Sequence, residues 1–427
     1  MAGTIYRHFR ILAVKIPGVR PATLFAILFL ALSPPPPAIA EQSPVMVVAS
    51  HYENATGLSR LVFDLTGVVE ARVWPMTNPA RMIVDLPDVG FGIKASAGRV
   101  DGSTLVRAFR FGQFAPGRAR IVIDLFAPAT ALRVACDPVA GGARLTIDLG
   151  PTSTARFAAD ARAAGELSSS RFFALDPQPS GETDRPAEKP LIVIDPGHGG
   201  VDQGAVAENG TEEKTIVLDF ARALRERIES GGRLRVALTR DDDVFLPLEE
   251  RVEFARRSNA ALFLSIHADT LAAPHVEGAT IYTVSRAASD SEAARTAAQE
   301  NRADQAAGLD APGDPDEVGD ILFDLTRRET NVFSRQFAQS LALKWKEAGS
   351  LNKNPIRSAG FVVLKAHDIP SVLLELGYVS SAHDLSRLTS PAWRERAAAK
   401  AAEAIEAFFA SAHPPQRLAA PAALRPE

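Results

Sequence analysis

The sequence predicts an α/β domain, built on a mostly parallel six-stranded sheet flanked by helices, with an all-β sandwich domain ahead of it. Three observations carry this reading. A motif Arg-x-x-x-Asp-Leu occurs at Arg60–Leu65, Arg81–Leu86, Arg120–Leu125 and Arg144–Leu149. From Leu191 onward, apolar strand-like runs alternate with longer helical patterns, as expected of a sheet covered on both faces. Between the two halves, residues 151–189 are rich in Ala, Ser, Pro and charge, the texture of a linker.

The N-terminus resembles a targeting segment. Arg7, Arg10, Lys15 and Arg20 supply positive charge, Thr23–Leu32 is an apolar core, and Ala38-Ile39-Ala40 fits a cleavage site. The apolar run is short for a bilayer span, so residues 1–40 read as a cleaved signal peptide; an uncleaved anchor is the alternative. The expected product begins near Glu41, is exported, and keeps no stable membrane anchor.

In residues 41–150, the second, fourth and sixth positions of every Arg-x-x-x-Asp-Leu copy are apolar, so each copy presents one apolar face at period two. Breakers separate the copies: Thr66-Gly67, Asn78-Pro79, Ala115-Pro116-Gly117 and Gly141-Gly142. An antiparallel sandwich follows, in which the Arg and Asp of each copy pair across strands. The irregular spacing argues against a solenoid. The linker carries a weak helical pattern near 155–166 and then Pro177, Pro179, Pro186 and Pro190.

In residues 190–411 the strand candidates are 191–195, 234–240, 261–267, 278–284, 360–365 and 371–376; the helix candidates are 213–229, 248–258, 328–348 and 391–410. Residues 286–327 interrupt the alternation with an Ala-rich helical pattern over 287–307, a breaker segment from Gly308 to Pro315, and a short helix near 317–327. A segment this long within a compact domain is usually functional or disordered. The tail, 412–427, is Ala- and Pro-rich and expected to be disordered.

Composition narrows the chemistry. At 427 residues, two domains plus accessory segments are expected. A formal net charge of −4 gives no electrostatic footprint for nucleic acid. Cys136 is the single cysteine, so an intrachain disulfide and a cysteine-based zinc site are excluded, and any metal must be held by His and carboxylates.

The candidate site starts from Leu191–Gly200, LIVIDPGHGG, an apolar strand running into a loop that lifts His198 at its carboxyl end, where open α/β sheets bind ligands. Taken alone this could be a tight turn with an incidental His. Ala261–His267, ALFLSIH, repeats the arrangement and delivers His267. A catalytic zinc site wants three protein ligands and one open position, often two His and one Glu. Glu212 and Glu213 open the helix after the first loop; Glu213 shares a stripe with Ile216, Val217, Phe220 and Leu224, so it points inward and Glu212 toward solvent. Alternatively, both acids only complement the helix dipole. Glu375, in the apolar run PSVLLELG, is costly there unless paired or used; it could serve as general base, or be a structural carboxylate satisfied by backbone N–H groups. Asp195 and Asp269 flank the two His and could fix an imidazole tautomer.

Four stretches, IDPGHGG (194–200), EEKTIVL (212–218), LSIHAD (264–269) and PSVLLELGYVS (370–380), together resemble the zinc-dependent N-acetylmuramoyl-L-alanine amidases of bacterial cell-wall turnover, in the expected order across roughly 190–410. The resemblance implies one Zn2+ held by His198, His267 and Glu213, Glu375 as catalytic base, and hydrolysis of the amide joining N-acetylmuramic acid to L-alanine of the stem peptide. Residues 45–150 resemble the AMIN domain, which implies peptidoglycan binding in a Gram-negative periplasm and enrichment at the division septum. Residues 286–327 resemble the autoinhibitory helix of division amidases, with Gln299–Asp304 as the best-matching part. This implies Glu300 as an inhibitory zinc ligand and a LytM-type division factor as activator. Competing readings are another envelope zinc peptidase or deacetylase, and a non-catalytic peptidoglycan-binding scaffold; the motif order argues against the former, and intact ligand positions against the latter.

Overall fold

The computed structural model describes residues 45–55, 57–100, 102–115, 117–169, 189–271, 276–309, 321–366 and 368–411. The expected signal peptide, the proline-rich part of the linker and the tail lie outside them.

The first domain packs two sheets. One is ordered β5(Val89–Phe91)-β1(Val45–Ala55)-β2(Leu58–Leu65)-β9(Gly142–Pro151)-β8(Ala129–Val139). The other is ordered β3(Arg72–Met76)-β4(Arg81–Pro87)-β7(Arg118–Leu125)-β6(Val106–Ala115). The four repeat copies are β2, β4, β7 and β9, and they pair two by two: β2 with β9, β4 with β7. Registers place Arg60 opposite Asp148, Asp64 opposite Arg144, Arg81 opposite Asp124 and Asp85 opposite Arg120. The cross-strand ion pairs read from the repeat therefore form on the outer face of each sheet. The opposite faces meet in one core that includes Leu61, Phe63, Met82, Val84, Ile121, Ile123, Leu145 and Ile147. Each such side chain contributes roughly 1.5–3 kcal/mol of transfer free energy.

The first part of the expected linker is a helix, α1(Thr154–Ser169). The Ser153 hydroxyl accepts from Arg156 N at its start, and Phe157 is buried in the sandwich core. The weak propensity seen in the sequence is supplemented by this tertiary contact.

The second domain has a six-stranded sheet in the order β11(Arg235–Leu238)-β10(Leu191–Pro196)-β12(Leu262–His267)-β15(Ser371–Glu375)-β13(Ala279–Val284)-β14(Leu351–Ala359). All neighbours are parallel except β13 with β15. Helices α2(Glu213–Ser230), α6(Ile321–Trp345) and α8(Pro391–Ser411) contribute to the core on one face. Helix α3(Leu248–Arg257) and a 3-10 turn, Val362–Leu364, contribute to the core on the other.

The strand expected at 360–365 is instead at Leu351–Ala359. That segment carries Asn, Lys, Arg and Pro355, so it does not read as a strand. An edge position tolerates this, because a Pro there interrupts no central ladder. The apolar run Val362–Leu364 is buried by packing, with Val363 and Leu364 in the core beside α3. The expected short helix near 317–327 and the longer one at 328–348 are a single helix, α6, from Ile321. The pattern over 287–307 is two pieces, α4(Ser291–Glu300) and α5(Ala303–Ala306). Asp290 caps α4 by accepting from the backbone N of Glu292 and Ala293. Asn301 breaks the run, its side chain donating to Gly360 O and accepting from Val362 N. A short helix, α7(Ala382–Leu388), was not anticipated.

Candidate active site

Strands β10, β12 and β15 are parallel neighbours, so their carboxyl ends share one edge of the sheet. His267 and Glu375 end β12 and β15 directly opposite each other. His198 follows β10 in a turn where His198, Gly199 and Gly200 have φ of 59°, 126° and 55°. This left-handed run is open to Gly at little cost and explains the glycines after the His. A Cβ on Gly197 would overlap the His267 ring, so the missing side chain is what lets the second imidazole lie against the first loop.

Two buried arginines brace that loop. Arg240 donates to the carbonyls of Pro196 and Gly197, and Arg251 to those of Pro196 and His198. Sequence reasoning did not find them, since each reads as an ordinary residue of a strand end or helix. Asp195 belongs to this bracing rather than to an imidazole: it accepts from Arg251 (2.8 Å), Thr239 (2.6 Å) and Ser265 (2.7 Å). The residue that does orient His198 is Asp202, whose Oδ2 lies 2.9 Å from Nδ1. Its only sequence signal was its place four residues after the His.

The two imidazoles stand edge to face, with ring centroids 4.9 Å apart. Glu213 Oε1 lies 3.3 Å from His198 Nε2 and 3.3 Å from His267 Nδ1. Glu213 is fully buried and accepts from Ala268 N and Ala205 N, which fixes both oxygens. Glu212 turns away and lies 3.4 Å from Lys214 Nζ. Glu300, the last residue of α4, enters from above: Oε2 is 2.9 Å from His267 Nδ1 and 3.6 Å from His198 Nε2. Glu375 is fully buried, with Oε2 accepting from Asp269 N at 3.1 Å. Asp269 makes no hydrogen bond with His267; its Oδ1 accepts from Thr270 N and from the Gln299 side chain of α4.

The electrostatics follow from this crowding. Burial pushes both imidazoles toward neutrality, but Glu213, Asp202 and Glu300 around His198, and Glu300 and Glu213 around His267, outweigh it and hold both well above the ordinary range. Burial also acts against ionised Glu213, yet the two imidazoles pull it well below the carboxylate range. Burial, reinforced by Asp269, Glu213 and Glu300, drives Glu375 well above it despite the opposing pull of His267. Asp269 is raised by burial and then by Glu300 and Glu213.

His198 Nε2 and His267 Nδ1 are buried without a hydrogen-bond partner among the described residues. Buried ring nitrogens rarely stay unpaired, and here both face the same carboxylate oxygens. Ligand atoms of His198, His267 and Glu300 lie within 4.8 Å of one another. A dication among these nitrogens and carboxylates would satisfy every one of them, and two His with Glu is a set that suits zinc.

A family model described as N-acetylmuramoyl-L-alanine amidase matches residues 192–407, and one described as AMIN domain matches residues 50–149. The chain is 32% identical over 374 residues to N-acetylmuramoyl-L-alanine amidase AmiC of Escherichia coli O6:H1, covering 85% of this chain and 89% of that protein. It is 31% identical over 405 residues to AmiC of Neisseria meningitidis serogroup B, covering 91% and 94%. Among solved structures, amidase AmiC2 of Nostoc punctiforme is 26% identical and covers 52% of this chain and 98% of its own, with a TM-score of 0.37. With one family model spanning the site, a second matching the sandwich, and two relatives above 30% identity aligned over most of both chains, the chain belongs to the N-acetylmuramoyl-L-alanine amidases, in the form that carries an AMIN domain ahead of the catalytic domain.

Proposed function

We propose that this chain is a periplasmic zinc amidase that releases stem peptides from glycan strands during daughter-cell separation, cutting between N-acetylmuramic acid and L-alanine. The observation that carries the reading is the convergence of two unpartnered imidazole nitrogens on Glu213, with Glu375 at the next strand end. His198, His267 and Glu213 are the ligands. Zinc held there supplies Lewis acidity toward the amide carbonyl and the attacking water. Glu375 takes the proton of that water and hands it to the leaving amine, a role suited to a carboxylate whose burial raises its proton affinity. Asp202 holds His198 in one tautomer, and the backbone donors of Ala205 and Ala268 hold Glu213.

In the conformation described, Glu300 fills the position that water and substrate would need. Its carboxylate oxygen, 2.9 Å from His267 Nδ1 and 3.6 Å from His198 Nε2, would exclude a water or amide oxygen from a bound metal, which makes this conformation the resting, self-inhibited form in this proposal. A LytM-type division factor that displaces α4 is the expected activator. Export by the N-terminal signal segment and septal enrichment through the AMIN domain complete the proposal. No helix among the described residues is long and apolar enough to cross a membrane.

The test is hydrolysis of purified peptidoglycan with product analysis. Chelation should abolish release of stem peptides, and stoichiometric zinc should restore it. Glu300→Ala should raise basal release without an activator. Activity that survives chelation overturns the metal; a folded Glu300→Ala protein with unchanged basal release overturns the plug.

A further inference from the structure

The repeat builds the same Arg/Asp ladder on both outer faces of the sandwich, but the two faces meet different surroundings. On the β2–β9 face the ladder pairs internally: Arg60 with Asp148 and Arg144 with Asp64. On the β4–β7 face the guanidinium groups pair with Asp124 and Asp85 and also donate to the second domain, close to 200 residues away along the chain. Arg81 donates to Gln305 O, Arg110 to Ala306 O at 2.7 Å, and Arg120 to Ala307 O at 3.0 Å and Gly308 O at 3.4 Å. These are successive carbonyls at and just past the C-terminal end of α5, where a helix end leaves carbonyls open to outside donors; that of Gln305 also accepts from Gly308 N.

An apolar seam backs the polar contacts. Met76, Ile83, Phe114 and Val122 of the sandwich pack with Val201, Phe245 and Ala307 of the second domain. Phe114 stacks on Phe245, with centroids 5.9 Å apart and planes 10° apart. Arg120 is almost wholly buried there, 3.5 Å from the Phe114 ring centroid. The seam also reaches the first ligand loop: Gln113 O accepts from Val201 N and Phe245 N, and a Cβ on Gly200 would overlap that carbonyl.

The chain between Glu300 and these carbonyls is short and pinned. Asn301 bonds Gly360 and Val362, and the Asp304 carboxylate accepts from Leu248 N at 3.0 Å. Glu300 stands five residues before the first docked carbonyl, so a movement of α4 and α5 as one piece requires the carbonyls of 305–308 to undock.

We propose that the AMIN domain is the clamp of the autoinhibitory segment: its β4–β7 ladder, through Arg81 and Arg120, together with Arg110 of the neighbouring β6, holds the end of α5 and thereby helps keep Glu300 on the site. This rests on the plug reading above. These arginines are positioning residues, since none touches the reacting atoms. The coupling is reciprocal. Whatever lifts α4 and α5 also frees the β4–β7 ladder, and a ligand that occupies that ladder weakens the hold on Glu300, which Asn301 and Asp304 share. The β2–β9 ladder is outside this exchange.

The experiment uses the full-length protein. Arg81→Gln with Arg110→Gln removes two charged donors from carbonyls of the insert, and Ala307→Glu disturbs the seam from the insert side. Each lost charge-assisted hydrogen bond should shift docking about tenfold toward release. Basal stem-peptide release should rise in both variants, and backbone amides of 303–309 should exchange faster while those of 192–194 keep their protection. Arg144→Gln, the equivalent change on the other face, should alter neither. If Glu300→Ala raises basal release and the clamp variants do not, the clamp is refuted and the plug survives. If Glu300→Ala has no effect, the plug fails, and exchange at 303–309 alone decides the clamp: unchanged exchange refutes it.

Discussion

Replacing Glu375 with Gln separates chemistry from stability in this fold. Glu375 is fully buried, Oε2 accepts one backbone hydrogen bond at 3.1 Å, and Oε1 has no hydrogen-bond partner among the described residues. A glutamine keeps the volume and can keep the bond from Asp269 N through its amide oxygen. Its new amide N–H would then occupy the unpartnered position, at a cost of about 1–3 kcal/mol if left unsatisfied. Against this, the substitution removes a carboxylate whose burial opposes ionisation, a term of the opposite sign. The net change in folding free energy should therefore stay within about 2 kcal/mol. The rate should not be spared. Loss of a positioned general base lowers turnover about 10²–10⁴-fold, equivalent to roughly 3–5 kcal/mol in the barrier. The assay is stem-peptide release from purified peptidoglycan by the Glu300→Ala background, with and without Glu375→Gln, beside thermal melts of both proteins. Turnover within tenfold of the parent, in a protein that melts normally, would refute Glu375 as the base. A collapse of the melting temperature would refute the structural half of the reasoning.

Other expectations concern the supporting residues. Asp202→Asn should weaken zinc binding about 10–100-fold, read by competition with a chromogenic chelator, because it loosens the tautomer and orientation of His198; unchanged affinity would discount the Nδ1 contact. Phe157→Ala should cost about 3–5 kcal/mol of sandwich stability in denaturant unfolding, since that side chain is buried in the core; a loss under 1 kcal/mol would mean the helix only rests on the surface. Asp304 gives a pH signature. Burial pushes its carboxyl up to about 6, partly offset by the bond from Leu248 N. A carboxyl raised in the folded state favours folding while protonated, so its contribution is full below about pH 4 and is lost as pH rises through 6, by at most about 3 kcal/mol. Wild type should thus lose stability between pH 4 and 6 relative to Asp304→Asn, and parallel melting profiles would contradict this.

Much was legible in the residues because the local patterns are strong. Period-two apolarity in four copies, with Arg and Asp at fixed positions, leaves little freedom in how those strands face and pair. The strand-to-loop breaks at His198 and His267, and the helical phase that separates Glu213 from Glu212, placed three side chains at one edge once the sheet was parallel. Where the sequence misled, tertiary context had overridden a local signal. An edge strand containing Pro355 could be irregular because only one side of it pairs, while the strand-like Val362–Leu364 was buried without joining the sheet. Asp195 looked like a partner for His198 by proximity in sequence, but in an extended strand it points toward Arg251, and the turn brings Asp202 back to the ring instead.

The sequence alone determined two domains, the sheet edge that bears the site and the identity of the groups converging there, because each depends on short-range periodicity. Only the tertiary structure decided that Arg240 and Arg251 brace the first loop, and that one face of the sandwich grips the carbonyls of 305–308. Those contacts join residues far apart in the chain, through backbone carbonyls that every residue possesses, and so leave no pattern for a sequence to show.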